Sequence, residues 1–222
     1  MRGRYRAVIF DLDGTLMDTA EGIIEATRHT LAHYGREIPP REVLFRFIGP
    51  PVQEGFARYL SLDRATAMAY ADTFREYYRT RSLFKSTPYA GVYEMLDALD
   101  VVGVRLAVAT YKREDYAKEL LSHFDLARRF AVIRGADAKG RLDKAEIISH
   151  CLDALDVPPR AALMVGDSVQ DARGAAEAEV DFLGVLYGYG FRSERETLER
   201  GAIGVAKSPD EILDAMLEVS AR

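Results

Sequence analysis

Short apolar runs alternating with helix-like segments constrain this chain more than any other feature of its sequence. Ala7 to Phe10, Val104 to Ala109, Ala161 to Val165 and Phe182 to Leu186 are almost wholly apolar, and Phe130 to Ile133 is a weaker fifth run. Segments this short and this continuously apolar suit strands buried on both faces, as in a parallel sheet covered by helices. Arg113 to Phe124 and Asp143 to Leu155, lying between them, carry apolar residues at helical spacing. The alternation predicts an α/β fold, a doubly wound parallel sheet whose functional groups gather at the strand C-termini.

One interval breaks the pattern. From Asp18 to about Leu83 only helical periodicity is present, over Thr19 to Tyr34, Arg41 to Phe47, Gln53 to Leu60 and Arg64 to Arg81. The Pro39-Pro40 and Pro50-Pro51 pairs end one helix and favour the start of the next, because proline disfavours helix in the residue before it and suits a first turn. The expected organisation is a core of residues 1–17 and 84–222 with a helical insert of residues 18–83, the crossings lying near Thr15 to Met17 and Lys85 to Ala90.

Composition narrows the function classes. The formal net charge of the 222-residue chain is -5, with Lys and Arg scattered, so no electrostatic footprint for nucleic acid or an anionic membrane is present. No apolar run is long enough to span a bilayer, and the N-terminal residues carry no signal-like apolar stretch, which predicts a cytoplasmic protein. The single cysteine, Cys151, sits in an amphipathic helical pattern and reads as a buried thiol. A small molecule is the expected partner, and a monomer or weak homodimer the expected state.

The chemistry is concentrated in a few places. Asp11-Leu12-Asp13-Gly14-Thr15 closes the first apolar run, and the two-residue spacing puts both carboxylates on one side of an extended chain. Two such charges coexist when a cation neutralises them or one keeps its proton, and both conditions serve phosphoryl transfer. Asp11 is the candidate nucleophile, since a carboxylate needs no base to activate it. Asp13 is the candidate acid, protonating the leaving oxygen and then taking a proton from the hydrolytic water. Gly14 permits a tight turn that leaves room for phosphate, and Thr15 is grouped with it as a substrate contact. The run ending at Val165 continues as Gly166-Asp167-Ser168-Val169-Gln170-Asp171, where Asp167 is the candidate Mg²⁺ ligand and Asp171 a supporting carboxylate that holds a metal-bound water or Lys144. Thr110 ends another strand and, with the Tyr111 amide, can donate to phosphoryl oxygens. Lys144 stands at a helix start, where the dipole disfavours a cation, and so reads as functional.

Taken in order, Asp11-Leu12-Asp13-Gly14-Thr15, Thr110, Lys144 and Gly166-Asp167 with Asp171 resemble the haloacid dehalogenase superfamily of phosphohydrolases. The helical insert, Phe47-Ile48-Gly49-Pro50-Pro51 and Gly184-Val185-Leu186-Tyr187-Gly188-Tyr189-Gly190 are similar to its phosphoglycolate-phosphatase-like branch, which includes 5′-nucleotidases. The resemblance implies a Rossmann-like core with an inserted α-helical cap, and Mg²⁺ held by Asp11, Asp167 and the Asp13 backbone carbonyl. It also implies hydrolysis of a small phosphorylated metabolite through an aspartyl-phosphate. Arg46, Gly49, Gln53 and Lys112 are then the candidates for selecting the leaving group. Position 111 departs from the pattern: a small polar residue usually follows the Thr, whereas Tyr111 would narrow the pocket or aim its hydroxyl at the leaving group. A phosphomutase, which returns the phosphoryl group to its substrate, and a non-enzymatic phospho-receiver are the competing readings.

Overall fold

Arg6 and Asp11 bracket four apolar residues, and these form β1 (Ala7–Phe10), all of them without solvent exposure. The computed structural model describes residues 4–137 and 140–220. In chain order the elements after β1 are β2 (Met17–Asp18), α1 (Ala20–His33), α2 (Arg41–Leu44), α3 (Val52–Leu60), α4 (Arg64–Tyr77), β3 (Thr87–Pro88) and α5 (Val92–Val101). There follow β4 (Arg105–Arg113), α6 (Glu114–His123), β5 (Val132–Ala136), α7 (Lys144–Leu155), β6 (Ala162–Gly166), α8 (Val169–Glu177), β7 (Asp181–Val185), α9 (Glu194–Glu199), β8 (Gly204–Ala206) and α10 (Glu211–Ser220). No helix among the described residues is long and apolar enough to cross a membrane.

The chain forms two compact units. Residues up to Met17 and from Pro88 onward make one, and Asp18–Thr87 make the other. The return crossing lies at β3, between Lys85 and Ala90, and the helical unit runs to Thr87 against an expected end at residue 83.

In the first unit six strands pair in the order β5-β4-β1-β6-β7-β8, every pair parallel. This is the doubly wound α/β sheet that the alternation predicts. The chain order reverses at β1, so the C-terminal ends of β1, β4 and β6 open onto one switch point, where side chains from several loops can converge. Ile9, Ala107 and Met164 from three adjacent strands pack with Ile147, Ile148 and Cys151 of α7 and with Ala172 and Ala175 of α8. Each large aliphatic side chain so buried contributes about 1.5–3 kcal/mol of transfer free energy. Cys151 is fully buried, its thiol donates to the Val108 carbonyl, and burial pushes its pKa up to about 12. It is the inert core thiol its helical pattern suggests.

Helices α7 and α8 start where capping chemistry dictates. Asp143 accepts from the Glu146 amide while the Glu146 carboxylate accepts from the Asp143 amide, and Ser168 with Asp171 repeats the arrangement one strand later. Each reciprocal pair satisfies two otherwise orphaned donors.

The second unit is helical throughout its main elements. Phe47, Phe56, Tyr70, Phe74 and Tyr78 form a chain of ring contacts at centroid separations of 5.1 to 6.4 Å, and Tyr34 stacks on Tyr70 at 3.8 Å. The expected helix over Arg41 to Phe47 closes as a 3₁₀ turn at Phe45–Phe47, and the one over Arg64 to Arg81 widens into a π turn at Tyr78–Ser82.

Candidate active site

Two strand ends and two helix starts bring the acidic motifs together. Asp11 follows β1, Asp167 follows β6, Asp171 lies in the first turn of α8, and Lys144 opens α7. Asp11, Asp167 and Asp171 are 5%, 3% and 1% exposed, and one carboxylate oxygen from each falls within 4.8 Å of the others. Burial of this kind is tolerable for carboxylates only with counter-charge or protonation.

Lys144 supplies part of that counter-charge. Its Nζ donates to Asp11 Oδ1 at 2.7 Å and stands 2.7 Å from Asp171 Oδ1, the latter an ion pair whose angles fall outside hydrogen-bond geometry. The second oxygen of Asp171 accepts from the Ser168 amide and hydroxyl. Burial works against the ammonium, yet the two carboxylates outweigh it and hold its pKa above the ordinary lysine range. The unfavourable helix-dipole position is thereby accounted for: the charge is placed for Asp11 and Asp171, not for the helix.

Asp13 is paired differently. Its Oδ1 lies 2.9 Å from Lys112 Nζ, with both side chains nearly buried. The ladder between β4 and β5 shifts register between Thr110 and Arg113, and such an irregularity re-aims the side chains within it. Lys112, grouped above with leaving-group selectors, is therefore engaged by the Asp13 carboxylate. Thr110 is 1% exposed, and its Oγ1 accepts from the Lys112 amide at 3.1 Å, leaving the hydroxyl proton to donate elsewhere. The Tyr111 hydroxyl, expected to narrow the pocket or face a leaving group, accepts from the Lys144 amide at 3.1 Å.

The loop after β1 is shaped by close approach. Gly14 has φ +87°, and a Cβ there would overlap the Asp167 carboxylate and the Tyr189 ring. Thr15 is fully buried, its Oγ1 has no hydrogen-bond partner among the described residues, and its carbonyl accepts from the Tyr187 hydroxyl at 3.0 Å. Through its carbonyl, Thr15 ties the loop to Tyr187. Residues 187–190 form a strap over the same region: the amides of Tyr189 and Gly190 donate to Asp167 Oδ2 at 2.6 and 3.0 Å. The sequence motifs do not reveal these amide contacts. The alternating Gly188 and Gly190 are the one signal that could have found them.

Arg46, Gly49 and Gln53 belong to the second unit. Arg46 lines a cavity of about 320 Å³ with Phe47, Arg58 and Tyr59. Gln53 does not line it: its side-chain carbonyl accepts from Arg75 at 3.0 Å, a contact within the helical unit that accounts for the residue without a substrate. Gly49 holds φ +96° at a turn, which accounts for its identity by backbone conformation.

Electrostatics define what the core cluster can hold. Four carboxylates (Asp11, Asp13, Asp167, Asp171) against two ammonium groups (Lys112, Lys144) leave a formal charge of two minus. Burial, then the neighbouring Asp171, pushes Asp167 up to about 7. Burial likewise raises Asp11 well above the ordinary carboxylate range, against the pull of Lys144 and with Asp171, Asp13 and Asp167 adding to the rise. A divalent cation with a preference for hard oxygen donors matches both the charge deficit and the donor set.

Comparison with known proteins agrees with this geometry. The family model described as haloacid dehalogenase-like hydrolase matches residues 8–185. A 5′-nucleotidase of Pseudomonas aeruginosa is 39% identical over 194 residues, covering 87% of each chain. A protein of Mycobacterium tuberculosis named tyrosine-protein kinase PtkA is 36% identical over 94% of this chain and 72% of its own, and a phosphoglycolate phosphatase of Agrobacterium fabrum is 36% identical over 82% and 80%. The crystal structure of a predicted phosphatase from Clostridium acetobutylicum superposes with a TM-score of 0.91 at 34% identity, covering 96% of this chain and 99% of that one. The chain belongs to the haloacid dehalogenase-like hydrolase family. Within that family its kinship is with enzymes, most of them phosphatases.

Proposed function

We propose that this chain is a Mg²⁺-dependent phosphomonoesterase that hydrolyses a small phosphorylated metabolite through an aspartyl-phosphate on Asp11. The observation that carries the reading is the buried convergence of Asp11, Asp167 and Asp171, two of them paired with Lys144, with a net negative charge left for a divalent cation. A 5′-nucleotide or phosphoglycolate is the proposed substrate, in line with the names of two relatives.

Asp11, Asp167 and the Asp13 carbonyl would hold Mg²⁺, with Asp171 outside the ligand set and paired to Lys144. When bound, the ion neutralises phosphoryl charge and keeps the carboxylates ionised. Asp11 attacks phosphorus in line while Lys144 fixes its Oδ1, so the attacking lone pairs keep one orientation. The Thr110 hydroxyl and the Tyr111 amide donate to the equatorial oxygens, where charge accumulates in the transition state. Asp13, which takes up a proton from solvent as Lys112 leaves it for the phosphate, gives that proton to the departing oxygen and, as a carboxylate, takes one from the water that opens the acyl phosphate. Lys112, drawn to Asp13 in the free protein, is then available to the incoming phosphate.

Phosphate release from a panel of nucleotides, phosphoglycolate and sugar phosphates tests the reading, with wild type and Asp11→Asn compared with and without Mg²⁺. Release that needs Mg²⁺ and vanishes in Asp11→Asn is expected. Near-full release by the variant would overturn it, and transfer of the phosphoryl group to a second substrate molecule or to a tyrosine in place of water would make the chain a phosphotransferase.

A further inference from the structure

Tyr111 stands where related sequences are expected to carry a small polar residue, and its surroundings give the larger side chain a purpose. Tyr111 lies within the stretch where the β4–β5 register shifts, and its side chain meets the start of α7. There the hydroxyl accepts from the Lys144 amide at 3.1 Å. That amide is one of the first-turn donors that a helix cannot satisfy internally, and the Asp143 cap already serves a different one, the Glu146 amide. The ring centroid also lies 5.5 Å from Lys144 Nζ, within the range of a cation–π contact.

The Lys144 stem is closed in by α8. A Cβ on Gly174 would overlap Cβ and Cγ of Lys144, so the helix approaches the lysine stem as closely as a residue without a side chain allows. Lys144 is therefore fixed along its whole length: the amide by the Tyr111 hydroxyl, the stem by Gly174, and the ammonium by Asp11, Asp171 and the Tyr111 ring.

We infer that Tyr111, with Gly174 against the lysine stem, is a positioning residue that holds Lys144 on Asp11, and is not a contact to substrate. The inference rests on the reading of Asp11 as nucleophile. Once Asp11 carries a phosphoryl group, it no longer offers Lys144 the same anionic oxygen. The hydroxyl, the ring and Gly174 are contacts that persist through that change. A free lysine side chain samples many rotamers, and these contacts remove that freedom before the chemistry begins.

The test compares wild type, Tyr111→Phe, Tyr111→Ser and Gly174→Ala, with Asp11→Asn as the control for the underlying reaction. Tyr111→Phe keeps the ring and removes the acceptor. It should lower kcat about tenfold to a hundredfold, the range that small misplacements of catalytic groups produce, with KM and melting temperature unchanged. Hydrogen exchange at the Lys144 amide should accelerate in the same variant. Tyr111→Ser should lose more kcat than Tyr111→Phe, and Gly174→Ala should lower kcat without raising KM.

A rise in KM that depends on the leaving group would show Tyr111 touching substrate and overturn the inference. Wild-type kcat in Tyr111→Phe, or a lower melting temperature with kcat intact, would also overturn it. If Tyr111→Ser fails to fold, Tyr111→Phe still decides. If wild type releases no phosphate, or Asp11→Asn keeps its activity, the phosphatase reading itself has failed and takes the inference with it.

Discussion

Lys144 Nζ and Asp11 Oδ1 meet at 2.7 Å although 133 residues separate them along the chain. The parallel sheet makes this possible by delivering the end of β1 and the start of α7 to one switch point. Because the same ammonium serves Asp171, it is counter-charge to two buried carboxylates at once.

Replacing it has a calculable direction. Lys144→Met keeps the length of the stem against Gly174 and removes the charge, leaving Asp11 and Asp171 buried without their cation. Breaking a buried pair in this way costs about 3–5 kcal/mol, so urea unfolding at neutral pH should show a loss of about that size. Turnover should fall by about a hundredfold or more, because Asp11 loses the group that orients it. A variant with wild-type stability would mean that the carboxylates are neutral in the folded protein.

The elevated carboxylates give a second prediction, whose sign follows from linkage. Asp167 is pushed up to about 7 and Asp11 is raised as well, whereas both ionise near about 4 in the unfolded chain. Between those limits the folded, metal-free protein binds more protons than the unfolded chain, so these groups reduce its stability as pH rises through the window. A divalent cation binds the deprotonated cluster and reverses the penalty. The rise in melting temperature on adding MgCl₂, relative to a chelator, should therefore be larger at about pH 8 than at about pH 6. An equal or larger rise at the lower pH would sink the assignment of the cation to these carboxylates.

Much of this architecture was legible because its determinants are local. Ala7 to Phe10 is an apolar tetrapeptide between charged residues, and its boundaries as a strand are those of the pattern. Asp11, Asp167 and Lys144 each sit at an element boundary that the sequence marks. What escaped depends on relations between distant backbone segments. β4 runs on to Arg113 through polar residues that read as the start of a helix, because a bulge against β5 carries them. β8 has three residues, two of them half-buried, and offers no periodicity to read. The Lys112–Asp13 pair and the Tyr111–Lys144 bond come from residues inside that irregular stretch, so no spacing rule exposes them. The tie from Tyr189 and Gly190 to Asp167 is made by amides, which every non-proline residue has, and leaves only its glycines as a trace.

That tie makes the last prediction. Asp167 Oδ2 is held by two amides, which fixes the carboxylate plane and the direction its other oxygen faces. Gly188 lies beneath them so closely that a Cβ would overlap the Gly14 carbonyl and the Asp167 side chain. Gly188→Ala must push the strap away from the carboxylate or turn the carboxylate itself. Loss of an outer contact to a metal-binding side chain weakens metal affinity by about tenfold to a hundredfold. Mn²⁺ titrated into the protein and followed by electron paramagnetic resonance should show that loss directly, without relying on turnover. Circular dichroism and a metal-free melt establish that the sheet is intact. Unchanged Mn²⁺ affinity in a folded Gly188→Ala protein would show that Asp167 is oriented by something other than the strap, or that it does not bind the ion.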